Sequence, residues 1–317
     1  MSAGVLRRRR LAALGVVGAV GGLAAVVGAL ASGGSGASDA GRRMASRAAA
    51  GRSASARLAE LPRGGRRLFP HFRVVAFYGA PQDPELGTLG IGTAAHAGRR
   101  LAVVARAYRP LGRPVLPAME LLAVIADGDP GRDGLYSLRQ RPSVIARYLR
   151  AARRMKALLV LDIQPGHRGF WEEAHALRRW LREPDVSLAL DPEWHTPGGV
   201  PGKVIGSVDA REVNAISFWL DGLVRRLRLP QKLLLVHRFT EGMIAGRLKR
   251  RAHVAVTVNV DGFGQRAIKR VKYERFAHGL DRGLRHGFKL FFKEDTGLLT
   301  PGAVGRLRPR PDVVVYE

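Results

Sequence analysis

The segment Asp191-Pro192-Glu193-Trp194-His195 places two carboxylates, an indole and an imidazole next to one another, directly after the apolar run Val186 to Leu190. Side chains alternate along extended chain, so Asp191 and Glu193 are expected to point to one side. Asp162, near the end of the preceding apolar run Ala157 to Ile163, is expected to join them. Carboxyl groups crowded together titrate apart, one keeping its proton while another stays ionised, which supplies the acid and the base or nucleophile of glycoside hydrolysis. Glu193, Asp191 and Asp162 are therefore the candidate catalytic groups.

Other polar residues fall at or just beyond the ends of similar apolar runs: Tyr78, Gln164, His237, Asn259, Asp261 and Glu294. Together with Trp194 and His195 they form the candidate substrate-binding set. Trp171, Phe239 and Phe263 lie near the same ends, and a pyranose ring presents C–H groups that pack on such aromatic faces. The positions are rich in acids although the chain as a whole is strongly basic.

What must position these groups is a set of short β-branched or apolar runs alternating with amphipathic segments, the pattern of a parallel sheet with helical crossovers. Eight strands are expected, at Val74 to Tyr78, Leu121 to Ala126, Ala157 to Ile163, Val186 to Leu190, Lys232 to His237, His253 to Val260, Phe288 to Phe292 and Val313 to Tyr316. Helical patterns lie between them at 88–108, 142–155, 170–182, 210–227, 241–250 and 271–285, with a weaker turn at 300–305. No eighth helical segment follows the last strand before Glu317. The fold class expected is α/β, a (β/α)8 TIM-type barrel, in which the ends of the strands and the loops after them build the active site. An open doubly wound sheet would place a glycine-rich phosphate loop after the first strand, and Gly79-Ala80-Pro81-Gln82-Asp83-Pro84 is not one.

The D-x-E of Leu188-Ala189-Leu190-Asp191-Pro192-Glu193-Trp194-His195, at the end of the fourth strand, resembles that of glycoside hydrolase barrels such as the chitinase-like and lysozyme-like muramidase families. The resemblance covers the barrel outline and this motif. It implies Glu193 as general acid, Asp191 as its electrostatic partner and Asp162 as a third carboxylate. Where the chitinase-like signature carries further aspartates, this chain has Val186-Ser187-Leu188-Ala189-Leu190.

The formal charge is +27, carried by forty-five arginines and only eight lysines against twenty-six acids. No helix-turn-helix, zinc pattern or aromatic-interleaved basic strand accompanies it, so no nucleic-acid partner is expected. The absence of cysteine excludes disulfides, thiolate metal sites and cysteine nucleophiles. At the N-terminus Arg7 to Arg10 precede an apolar run, Leu11 to Ala31, and a Gly/Ser/Ala stretch, the order of an export segment. As a helix that run is long enough for a hydrocarbon core of roughly 30 Å, so a retained signal anchor competes with a cleaved signal peptide ending at Ala29-Leu30-Ala31. The organisation expected is signal or anchor over 1–31, an Ala/Ser/Gly/Arg-rich linker over 32–68 and a barrel domain over 69–317. The expected location is extracytoplasmic, secreted or anchored in the cell envelope, with membrane contact through 11–31 if uncleaved. The expected partner is a carbohydrate or cell-wall polymer.

Two motif look-alikes fail on spacing and context: Gly198 to Lys203 is one residue short of a phosphate loop, and Asp261-Gly262-Phe263-Gly264 is a plain glycine-rich turn with Asp261 at the barrel mouth. No cofactor and no metal is assigned, as neither H-x-H nor H-E-x-x-H occurs. Three functions remain open: a glycosidase-like hydrolase, a non-catalytic glycan- or wall-binding barrel, and a metal-dependent hydrolase or lyase using His195 and His237 with the acids.

Overall fold

A computed structural model describes residues 58–317. These form a mixed α/β domain around a closed eight-stranded parallel barrel, consistent with a TIM-like barrel. Its strands are β1 (Arg73–Gly79), β2 (Val115–Ala126), β3 (Leu158–Ile163), β4 (Val186–Leu190), β5 (Lys232–Arg238), β6 (Val254–Val260), β7 (Arg285–Leu290) and β8 (Val313–Tyr316). Each pairs in parallel with the next, and β8 closes on β1 through Val74 opposite Val313 and Phe77 opposite Tyr316. A short strand, Ser137–Arg139, adds antiparallel to the end of β2. The N-terminal segment 1–31 and most of the expected linker lie outside the described residues. Among the described residues no helix is long and apolar enough to cross a membrane.

The strands read as nearly unbroken apolar runs because both their faces are covered. Alternate residues divide between two cores. Val74, Ala76, Leu116, Ala118, Leu158, Val160, Ala189, Leu233, Leu235, Val313 and Val315 fill the barrel, while Val75, Phe77, Met119, Leu159, Leu161, Leu188, Leu234 and Val236 pack under the helices. Leu61, Leu68, Phe69 and Phe72 belong to the inner core, so chain from Leu61 onward is bound to the barrel. Its backbone is tied down too: Gln231 N–H donates to Arg66 O (2.8 Å) and Leu68 N–H to Gln231 Oε1 (2.9 Å).

Six of the seven crossovers contain α-helix: α1 (Ala94–Arg106), α2 (Pro142–Arg154), the pair α3 (Phe170–Ala176) and α4 (Arg178–Leu181), α5 (Ala210–Arg226), α6 (Arg266–His278) and α7 (Pro301–Arg306). Local chemistry sets their starts. Thr93, Asp209 and Thr300 accept a backbone N–H of the first turn, and Pro142 occupies the first turn of α2, where its missing donor costs nothing.

The expected helix over 241–250 is absent. A 3-10 turn at Glu241–Met243 leads into Ile244–Ala245, which pairs with Val208–Asp209, and Gly246 at φ +93° turns the chain away. Two glycines and no continuous apolar face remove the helix's driving force there. Three other bounds shift. β2 begins six residues before the expected Leu121, because Pro114 and Pro117 hide its start. α1 begins at Ala94, after the turn-forming Gly87, Gly90 and Gly92. α6 spans Arg266–His278 instead of 271–285, since its basic first turns carry little hydrophobic signal, and β7 accordingly starts at Arg285.

Candidate functional site

The inward positions at the C-terminal ends of the strands carry polar groups. Tyr78 comes from β1, Glu120 from β2, Asp162 from β3, Asp191 from just after β4, His237 from β5, Asn259 and Asp261 from β6 and its end, Lys289 from β7 and Glu317 from just after β8. The same alternation that puts Leu233 and Leu235 in the inner core puts His237 there, one step nearer the mouth. An apolar floor thus grades into an ionic top along each strand.

These groups touch one another in a network. His237 bridges two carboxylates, with Nε2 at 2.8 Å from Glu120 Oε1 and Nδ1 at 2.9 Å from Asp261 Oδ2. Lys289 Nζ lies 3.1 Å from Asp261 and 2.8 Å from Glu317, and 3.7 Å above the ring of Tyr78. The Tyr78 hydroxyl donates to Asp191 Oδ2 (3.3 Å) and accepts from Gln164 Nε2 (2.9 Å). Asn259 Nδ2 sits 3.2 Å from His237 Nδ1. Glu120, Asp162, His237 and Asn259 are fully buried, and Tyr78, Asp191, Asp261 and Gln164 nearly so.

Burial dominates the electrostatics. For His237 it favours the neutral ring, but Glu120 opposes this, with Asp191 and the hydrogen bond to Asp261 adding to it against Lys289; the net direction is well above the ordinary imidazole range. Asp162 is pushed well above the usual carboxylate range, chiefly by burial and then by Asp191 and Glu120, despite His237 and Lys289. Asp261 goes the other way: burial raises it, yet Lys289 and His237, with the N–H of Gly262, hold it well below. Both oxygens of Asp162 and Oε2 of Glu120 have no hydrogen-bond partner.

The structure brings seven expected residues together: Tyr78, Asp162, Gln164, Asp191, His237, Asn259 and Asp261. It does not place Asp191 and Glu193 on one extended segment. β4 ends at Leu190, and Pro192–Trp194 form a 3-10 turn that proline favours at its start, so Asp191 points into the barrel while Glu193 stands half-buried at the rim. Lys272 lies near enough to feel both Glu193 and Asp261, although burial and Lys269 lower its pKa. Trp194 is also at the rim, beside Gly202. His195 is turned away from the network: its Nδ1–H donates to Ser207 O (2.7 Å) and its ring faces Phe170, a loop-clamping role. Glu294 is exposed in a separate hollow with Glu85, Arg100 and Phe292, which shares only Glu317 with the network.

Gly262 shapes the rim. At φ +105° a Cβ there would stand 2.6 Å from Lys272 Nζ and 2.8 Å from the Phe239 ring, so glycine lets the loops after β5 and β6 meet closely.

Glu120, Lys289 and Glu317 are not among the candidate residues read from the sequence. Glu120 and Lys289 each have a signal in the sequence: a lone acid inside Leu116-Pro117-Ala118-Met119-Glu120-Leu121-Leu122, and a lone lysine inside Phe288-Lys289-Leu290-Phe291. Charges within otherwise apolar strands must be paired, and inside a barrel the partners come from other strands.

Fold and site together define a closed parallel barrel with an ionic network buried at the C-terminal mouth. No family model matches the chain, and no curated protein matches it.

Proposed function

We propose that the protein is a glycosidase-like hydrolase of the (β/α)8 TIM-type class, acting outside the cytoplasm on an envelope or extracellular polysaccharide. The carrying observation is the contrast between neighbouring carboxylates: Asp191, inside the barrel and accepting the Tyr78 hydroxyl, and Glu193, one 3-10 turn further on at the half-exposed rim. In this reading Glu193 delivers the proton to the leaving oxygen. Asp191, which accepts the Tyr78 hydroxyl, stabilises the positive charge that grows on the sugar ring. Trp194 and Phe239 offer faces for the pyranose, and Asp162, its pKa raised by burial, lies below as a third carboxyl group. Retention at the membrane through 11–31, or release after cleavage, belongs to the same proposal.

The test is turnover of a panel of wall and extracellular glycans by the purified protein and by Glu193→Gln and Asp191→Asn. General acid catalysis contributes roughly 100- to 10,000-fold, so each variant should lose at least about 100-fold. Folded wild-type protein that cleaves none of the glycans refutes the hydrolase. The near-complete burial of Tyr78, Asp162 and Asp191 favours a second reading, a glycan- or wall-binding barrel without turnover, which binding unaffected by Glu193→Gln would support.

A further inference from the structure

We propose that Glu120, Asp162 and His237 form a binding site for one divalent first-row transition cation, Zn2+ or Mn2+ in chemical class, at the buried mouth of the barrel. This goes beyond the hydrolase reading and does not depend on it. One donor atom from each of the three residues, drawn from β2, β3 and β5, lies within 4.8 Å of the other two. All three side chains are fully buried.

A cluster of acids alone would mean little, but the atoms facing this space are unsatisfied in a specific way. Neither oxygen of Asp162 has a hydrogen-bond partner, nor has Oε2 of Glu120. A buried carboxylate without donors is costly, and native interiors leave few such groups. The charge balance points in the same direction. Asp261 and Glu317 lie close by and are both bonded to Lys289, at 3.1 and 2.8 Å. A divalent cation between Asp162, Glu120 and His237 gives the unanswered oxygens of the two carboxyl groups a positive partner.

His237 can serve as the imidazole ligand once the cation displaces the Nε2 proton that now lies toward Glu120 Oε1, the proton passing to solvent. Its Nδ1 faces Asp261 Oδ2 at 2.9 Å, which leaves Nε2 directed at Glu120 and the proposed cation. Such a carboxylate–histidine arrangement fixes the ring and raises its basicity as a ligand. Asp261 is itself held by Lys289 at 3.1 Å and by the N–H of Gly262 at 2.5 Å. Metal–ligand bonds of about 2.0 to 2.2 Å put donor atoms roughly 3 to 4 Å apart, so the observed spacing closes with side-chain adjustments of about 1 Å. One imidazole and two carboxylates suit Zn2+ or Mn2+ better than Ca2+, which takes six to eight oxygens.

The experiment is metal analysis of the full-length protein dialysed against ZnCl2 or MnCl2, with anomalous diffraction from crystals soaked in the same salts. Wild type should retain about one equivalent, with an anomalous peak between Glu120, Asp162 and His237. Asp162→Asn and Glu120→Gln should each weaken retention at least tenfold, while His175→Ala, on the outer surface, should retain it. Absence of a peak at these residues, or equal retention by the two carboxylate variants, overturns the assignment. If the variants do not fold, the wild-type peak decides by itself. Because the readout is occupancy, a protein that binds metal but cleaves no glycan fails only the hydrolase proposal.

Discussion

Lys232 opens β5, the strand that ends in His237, and its ammonium is fully buried outside the barrel bore. Nζ donates to the carbonyl oxygens of Glu183 (2.8 Å) and Val186 (2.6 Å). Burial pushes its pKa down from 10.5 to about 7, with Asp185 and Glu183 opposing the shift only in part. The unfolded chain keeps the proton up to about pH 10.5, whereas the folded protein releases it near pH 7. Unfolded protein therefore binds more protons across this window, and wild-type stability from this group rises with pH until about 10.5. At about 1.4 kcal/mol per pH unit the full span is worth about 5 kcal/mol. Below pH 7 both states are protonated and the penalty is complete and constant. Lys232→Met removes the titration and leaves two carbonyls without this donor, each costing about 1 to 3 kcal/mol. The variant should thus equal or exceed wild type in stability at pH 6.5 and fall below it at pH 9.5. Urea unfolding of both proteins at pH 6.5, 8 and 9.5 measures the difference, in which titrations common to both cancel. A difference that stays constant within about 1 kcal/mol over that range would refute the reasoning.

Three further outcomes follow from other parts of the fold. Gly262→Ala should lose about 1 to 3 kcal/mol by urea unfolding, since φ +105° strains any side chain and the Cβ meets Phe239; unchanged stability would mean the rim loops are not held as described. Asp261→Asn takes one carboxylate from both His237 and Lys289 and should destabilise by roughly 3 to 5 kcal/mol, as expected when one side of a buried ion pair is lost; a midpoint shift worth less than about 1 kcal/mol would count against that network. Arg153→Ala breaks contacts to Asp185 and Glu183, but Arg153 is 44% exposed, so the loss should be only about 0.5 to 1 kcal/mol and should shrink in 1 M salt.

How much of this molecule is legible in its sequence depends on which face of a strand is asked about. The eight strands could be counted because each is covered on both faces and leaves an apolar run, and the strand-end residues Tyr78, Asp162, Asp191, His237 and Asn259 converge because parallel strands share a direction. The helix expected over 241–250 failed for a local reason: its apolar residues do not form a stripe, and glycines at 242 and 246 lower the helix's advantage over a paired extended segment. The pairing of Asp191 with Glu193 failed at one proline, which ends the alternation that would have aligned them.

Glu120 shows why a site is harder to read than a scaffold. An end-of-strand rule overlooks it, because β2 continues six residues beyond it to Ala126 and bulges between Leu122 and Val124. In a tilted barrel the mouth does not coincide with the last residue of each strand. Depth is set by register: Glu120 lies opposite Tyr78 of β1, and Asp162 opposite Leu122, so a mid-strand residue of β2 reaches the level of strand-end residues on its neighbours. Register is a property of pairs of strands, and a single sequence shows one strand at a time. What it does show is the anomaly of a glutamate in an apolar run, which demands a partner from elsewhere in the barrel, and His237 on β5 is that partner at 2.8 Å. The same demand extends to Asp162, whose two oxygens no side chain answers, and this is why the proposed cation belongs between them.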